Sequence, residues 1–190
     1  METNILASKS PRRKHLLDQI GFKFSAVPSN FKEYTNKNVP PEALAESLAR
    51  GKAMKVAKIY RNKIIIGADT VVSINDKFYG KPKDRKESFK MLRSLSGKSH
   101  EVITGVSIIN LNQNIDHTFN QKTFVTLTNI TDEEILFYIK KFNPLDKAGS
   151  YGIQDGFSVF IKSIYGCYFN VMGFPLSKFF HQYKTLFKSL

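Results

Sequence analysis

Cysteine is almost missing from this chain of 190 residues. With Cys167 as the sole example, no internal disulfide can form and no cysteine-rich metal site exists. That suits a reducing compartment. Histidine is nearly as scarce, and His15, His100, His117 and His181 follow no metal-ligand spacing. No apolar run approaches the ~20 residues of a membrane span, and the opening METNILASKSPRRK has no apolar stretch of signal-peptide length. The expectation is a cytoplasmic protein without membrane attachment. Neither a Walker A lysine loop, nor GxGxxG, nor GxSxG occurs, so phosphate chemistry would need another scaffold. Acidic residues are few, 16 against 29 basic ones, which leaves a net charge of +13. Such a balance suits polyanions: nucleic acid, anionic membrane or phosphorylated small molecules. Lysines scattered over solvated faces are the plainer account. They form no basic block, so no nucleic-acid tail is read and no specific nucleic-acid binding is expected.

Hydrophobic residues make up 42% of the chain, enough for a proper core in one domain spanning 1–190. Residues 3–7 read as a short strand. Ser10 fits an N-cap and Pro11 the first turn of a helix running to about Ile20, burying Leu16, Leu17 and Ile20 and ended by Gly21. KFSAV is a second strand, and Pro40-Pro41 open a helix to about Tyr60. KIIIGADTVVSI is a strand that turns back into KFYG as a hairpin. A helix is expected over 84–95, then two long strands, HEVITGVSIINL and IDHTFNQKTFVTLT. Thr131 caps a helix to about Lys141, with Glu134 completing a capping box. The Gly-rich DKAGSYGIQDG leads into a strand, FSVFIKSIYG, and PLSKFFHQYKTLFKS is the last helix. Helices and strands interleave without repeats, so the class is α/β.

Several residues sit where structure alone would not put them. Arg12 and Arg13 follow Pro11 at a helix N-terminus, which prefers anions. They become favourable if a phosphate lies between them and the backbone N–H groups; two solvated arginines are the alternative. At about 100° per residue, Lys52 falls in the middle of the stripe set by Leu44, Ala45, Leu48, Ala49 and Val56. It must snorkel or meet an anion. Asp69 interrupts the apolar IIIGADTVV and should meet a cation or a metal. Gly67 and Ala68 before it leave room for a ligand. Lys81 in YGKPKD, Glu33 in NFKEY and Gln154 in the Gly-rich loop are weaker candidates, each with a solvated or structural alternative.

ILASKSPRRKHLL, IIGADTVV, GKP, MLRSLSGKSHEVITGV, PLDKAGSYGIQDGF and GFPL, in this order, resemble the motifs of the Maf family of nucleotide pyrophosphatases. The resemblance covers nearly the whole chain. It implies a mixed, largely antiparallel twisted sheet with flanking helices and two lobes around a central cleft. It implies hydrolysis of nucleoside triphosphates to monophosphate and pyrophosphate with Mg²⁺ or Mn²⁺, as removal of surplus or modified nucleotides. Many members are homodimers, so a homodimer is an expectation. Asp69 matches the family's general base, and Ser8, Arg12, Arg13, Lys52 and Lys81 match phosphate-cleft positions. Glu33 matches an acidic cleft position and, with Asp69, would face the metal; whether Asp69 is base or metal ligand stays open. Arg12, Thr70 and Gln154 stand at three positions associated with base choice, where the 7-methyl-GTP group carries an aromatic residue, a glutamine and a glutamate. All three here are of the dTTP/UTP type. Phe174 and Cys167 depart from the usual leucine and serine, away from the cleft motifs. A pyrophosphatase for 7-methyl-GTP or another modified nucleotide is the alternative within enzymes. A nucleic-acid-binding or cell-division protein is the rival outside them, but such a protein has no need of Asp69 inside an apolar strand.

Overall fold

The computed structural model describes residues 4–32, 39–75 and 77–188. Seven strands in these segments share one sheet: β1 (Asn4–Leu6), β2 (Phe24–Ala26), β3 (Ile65–Ile74), β4 (Lys77–Tyr79), β5 (Ser99–Asn110), β6 (Ile115–Leu127) and β7 (Ile161–Tyr165). Their order is β2-β1-β3-β5-β6-β7, with β4 also on β3. β1 runs parallel to β2 and β3, and every other pairing is antiparallel. The sheet is therefore mixed and largely antiparallel, as expected. Six α-helices flank it: α1 (Pro11–Gln19), α2 (Pro41–Ala57), α3 (Arg85–Leu95), α4 (Asp132–Phe142), α5 (Tyr168–Met172) and α6 (Leu176–Phe187).

Local signals hold well. The Ser10 hydroxyl accepts from the Arg13 N–H, Pro11 opens α1, and Gly21 follows it at φ +68°. The capping box of Thr131 and Glu134 is complete. Two differences stand out. FSVFIKSIYG is a strand only over Ile161–Tyr165, because Gly156–Phe160 winds into a 3-10 turn. The Asp155 carboxylate caps that turn by accepting from the Phe157 N–H, and Phe157 is buried against Tyr138 and Tyr151. The short α5 has no counterpart in the sequence reading. Its Asn170 is fully buried and donates to the Val102 carbonyl and the Thr123 hydroxyl, contacts made across a long stretch of chain.

β5 pairs with β3 along its whole length, from Ile65↔Ile109 to Ser73↔Glu101. The opposite edge of β3 is shared by two short strands, β1 at Ile65 and Ile66 and β4 from Val72 onward. Between them, residues 67–71 have no strand neighbour on that side among the described residues. The apolar clusters divide at the same place. Ile66 and Ala68 join Leu6, Leu16, Leu17 and Phe179 in one; Val72 and Ile74 join Leu92, Val102, Tyr138 and Phe157 in the other. The cleft between two lobes opens at this gap in the edge of β3.

On the alternate face of β3, α2 lies unusually close. A Cβ on Gly67 would stand 2.3 Å from the Ala49 carbonyl oxygen, and one on Gly105 of β5 2.3 Å from that of Ala45. Ala45, Ala49 and Ala53 are fully buried there. The space at Gly67, expected to admit a ligand, is thus taken by the helix backbone, and Ala68 is part of the core. This close seat is what delivers Lys52 to Asp69.

Candidate active site

Lys52 resolves its conflict with the apolar stripe by meeting an anion. Its ammonium group donates to Asp69 Oδ1, and the two side chains are only 10% and 11% exposed. Asp69 projects from β3 to the α2 face within the edge gap, paired in register with Gly105. Thr70 projects to the other face, and both residues line the same cleft of about 440 Å³, a size suited to a small organic ligand. Ser8, Arg12, Arg13, Lys81 and Gln154 line it too, so the structure brings together every described residue that the sequence singled out. Glu33 lies outside the described residues.

The two arginines diverge. Arg13 is built into the wall: Nε donates to the Gly173 carbonyl at 2.9 Å, Nη1 to Ser8 Oγ at 3.3 Å and Nη2 to Thr70 Oγ1 at 3.1 Å. Thr104 donates its only hydroxyl proton to the Asn170 carbonyl, so the 3.0 Å contact between Thr70 and Thr104 must be donated by Thr70. The Thr70 hydroxyl is then left with acceptor capacity alone. Toward a ligand in the cleft it can receive a hydrogen bond but not give one. Arg12 instead spans the cleft, with Nη1 donating to Asp146 Oδ2 at 2.6 Å and Nη2 to the Asp146 carbonyl at 3.3 Å.

Asp146 and Lys147 were missed by the sequence reading, since one acid and one lysine in a Gly-rich loop break no periodicity. Both line the cleft, and Lys147 Nζ donates to Asp146 Oδ1 at 2.7 Å. Burial pushes the Asp146 carboxyl up, but the bonds from Lys147 and Arg12 outweigh it and hold it below its ordinary value. Lys81 and Gln154 are exposed at the rim. The Gln154 carboxamide has no hydrogen bond among the described residues, which leaves its donor and acceptor available. The described residues put six basic side chains on the cleft against two carboxylates, Asp69 and Asp146. They hold no group of three His, Cys, Asp or Glu side chains able to chelate a metal. Mg²⁺ in phosphate sites is commonly held by one or two carboxylates together with substrate oxygens. Asp69 and Asp146 are the carboxylates that the described residues offer to such a cation.

Tyr151 also lines the cleft, and its hydroxyl is 2.7 Å from His100 Nε2 on β5. His100 is buried, its Nδ1 has no hydrogen-bond partner among the described residues, and burial lowers its pKa from 6.5 to about 4. The unfolded chain takes up this proton near 6.5, whereas the folded one refuses it until about 4. The contribution to stability is therefore full above pH 6.5 and is lost as pH falls from there toward 4. The loss is roughly 3 kcal/mol. Thermal midpoints measured from pH 7 to pH 4 should fall less steeply in His100→Gln; identical slopes would contradict this.

The sequence pattern described as Maf-like protein matches residues 3–186. The dTTP/UTP pyrophosphatase of Thermosipho africanus is 48% identical over 92% of this chain and 88% of its own. That of Bacillus pumilus is 46% identical over 94% and 93%, and that of a Geobacillus species 45% identical over 98% and 99%. The Ham1 protein of Staphylococcus aureus shares 12% identity and a TM-score of 0.45 over 66% of this chain and 72% of that one, too slight a likeness to bear on the chemistry. With its cleft motifs gathered around the gap in β3, and with relatives this similar along nearly its whole length, the chain belongs to the Maf family.

Proposed function

We propose that this protein, acting as one domain over residues 1–190, hydrolyses nucleoside triphosphates, dTTP and UTP foremost, to the monophosphate and pyrophosphate. The observation that carries the reading is the buried Lys52–Asp69 pair at the floor of a cleft dominated by cations. The activity named for the relatives supports it. A triphosphate brings about four negative charges, which a set of arginines and lysines complements.

In this reading Asp69 orients a water and takes its proton as the oxygen attacks the α-phosphorus. A P–O bond forms there, the α–β anhydride bond breaks, and the electron pair leaves on pyrophosphate. Lys52 holds the Asp69 carboxylate in place. Arg12, Lys81 and the α1 N-terminus with Ser8 neutralise the leaving group. Arg13 shapes the wall through Ser8, Thr70 and Gly173. Asp69, with Glu33 as a second carboxylate, would hold Mg²⁺ or Mn²⁺, whose charge neutralises the phosphates when bound.

The base is read by Gln154, with Thr70 as an acceptor. Uracil and thymine present a carbonyl–NH–carbonyl edge, which one carboxamide can pair with. Glutamate lacks the donor and would suit the NH-bearing edge of guanine. A site built on such bonds rejects bases that leave its polar groups unpaired. The expected order is dTTP and UTP well above 7-methyl-GTP, GTP and ATP. Gln154→Glu should lower kcat/KM on dTTP about tenfold or more relative to 7-methyl-GTP. The test is kcat/KM across this panel for both proteins. A wild type that prefers 7-methyl-GTP would overturn the base assignment, and unchanged ratios in Gln154→Glu would overturn the role of the glutamine.

Cytoplasmic removal of surplus or modified nucleotides fits such an activity, with no specific nucleic-acid partner. No described helix is long and apolar enough to cross a membrane. For assembly, we favour a homodimer through β7, which ends the sheet and carries Tyr165 at 81% exposed beside Phe124. An open edge with apolar side chains is a template for pairing. Sedimentation of wild type and Tyr165→Asp should give a dimer and a monomer; a monomeric wild type overturns it.

A further inference from the structure

The loop that carries Gln154 also holds a cation to which the sequence reading gave no role. Lys147 has a side chain only 13% exposed, with its ammonium 2.7 Å from Asp146 Oδ1 and 3.9 Å from Asp155 Oδ2. A lysine so covered must face anions. Asp146 is different: its side chain is 54% exposed, and its two oxygens are divided between Arg12 at 2.6 Å and Lys147. One half-exposed carboxylate thus bridges two cations on the wall of the cleft. The second anion, Asp155, is fixed by the Tyr138 hydroxyl and the Phe157 N–H, so Lys147 keeps a counterion if Asp146 swings away.

The backbone around Lys147 is built rather than loose. Gly149 and Ser150 are both left-handed, at φ +67° and +66°, and a left-handed serine is costly unless its surroundings impose it. Here the fully buried Ser150 hydroxyl bonds that of Ser88 on α3. The Gly149 N–H donates to the Gly80 carbonyl at 3.1 Å, beside Lys81. Lys147 and Lys81 are therefore presented from two loops tied to each other.

We propose that Lys147 is a further substrate-binding residue. With Arg12 it takes oxygens of the nucleotide's polyphosphate, and Asp146 is an internal anion that occupies the two cations until the phosphates displace it. This rests on the reading of the cleft as a nucleoside triphosphate site. It adds a residue to the clamp and a competitor to its resting state.

Inorganic tripolyphosphate tests the idea without any hydrolysis. Its affinity for the full chain would be measured by titration calorimetry at low salt, with thermal midpoints as a folding check. Lys147→Gln should weaken binding about 10-fold or more, the worth of one charge-assisted bond, and Lys147→Arg should restore most of it. Asp146→Asn should bind several-fold tighter than wild type, and KM for dTTP should follow the same order. Unchanged affinity in Lys147→Gln would overturn the binding role. Weaker binding by Asp146→Asn would make Asp146 a positioning residue and overturn the competitor. If Lys147→Gln does not fold, Lys147→Arg and Asp146→Asn still decide. A wild type that binds tripolyphosphate yet leaves every nucleotide intact would sink the hydrolase reading and leave this one standing.

Discussion

Asp69→Asn is expected to fold and to lose about 10²–10⁴ in turnover of dTTP, the usual cost of removing a general base. Asparagine keeps the shape of the side chain and one acceptor oxygen for Lys52, so β3 and its register with β5 have no reason to shift. It cannot take a proton from water, and it is a poorer partner for a cation. Stability should drop as well, because the charge pairing between Lys52 and Asp69 in a covered site would be lost. Breaking a buried pair costs up to ~3–5 kcal/mol, and less where, as here, both groups reach the cleft. Assays therefore belong well below the variant's melting temperature. Near-wild-type turnover in a folded Asp69→Asn would remove both the base and the metal-side role together.

Gly67→Ala should damage the enzyme from outside the cleft. The added Cβ would stand 2.3 Å from the Ala49 carbonyl oxygen and 2.7 Å from the Ala53 nitrogen, both main-chain atoms of α2. β3 cannot give way, since it is paired with β5 at Gly67↔Ser107 and its opposite face is packed through Ile66 and Ala68. The helix must lift instead, and Lys52 rides on it one residue before Ala53. Overpacking of this kind costs about 1–3 kcal/mol and sometimes more, and the upper end applies when rigid backbone is what must move. A shift of ~1 Å in a catalytic constellation costs about 10² in rate, so kcat should fall in the protein that remains folded. Gly80→Ala is the control for stability: nothing lies within 4 Å of its added Cβ. Denaturation midpoints and kcat for Gly67→Ala would decide, and wild-type values for both would refute the close-seated helix.

Short-range chemistry was the legible part of this chain. Ser10 with Pro11, and Thr131 with Glu134, announce their helices because capping is settled within a few residues. Lys52 and Asp69 were legible for the opposite reason, as charges placed where a core residue was due. Their partnership follows from elementary electrostatics once both are inside. The partners of the arginines were not readable, because Arg12 reaches a residue 134 positions away and Arg13 one 160 positions away. Nor could the gap in β3 be read, since it depends on where two other strands stop pairing. Gly67 was misread for the same reason. A missing side chain reveals that something comes close, and only the fold reveals that α2 does. Gly156–Phe160 looked like strand because Phe157 and Phe160 are apolar, but the Asp155 cap and the aromatic cluster won.

Hydrolysis of dTTP in water labelled with heavy oxygen, with the products resolved by mass spectrometry, tests the chemistry most directly. Attack on the α-phosphorus, with water oriented by Asp69, predicts thymidine monophosphate carrying one labelled oxygen and unlabelled pyrophosphate, and both products formed about 10²–10⁴-fold more slowly in Asp69→Asn. Label in the pyrophosphate, release of orthophosphate with the diphosphate, or no cleavage of dTTP or UTP by the wild type with Mg²⁺ or Mn²⁺ would contradict it.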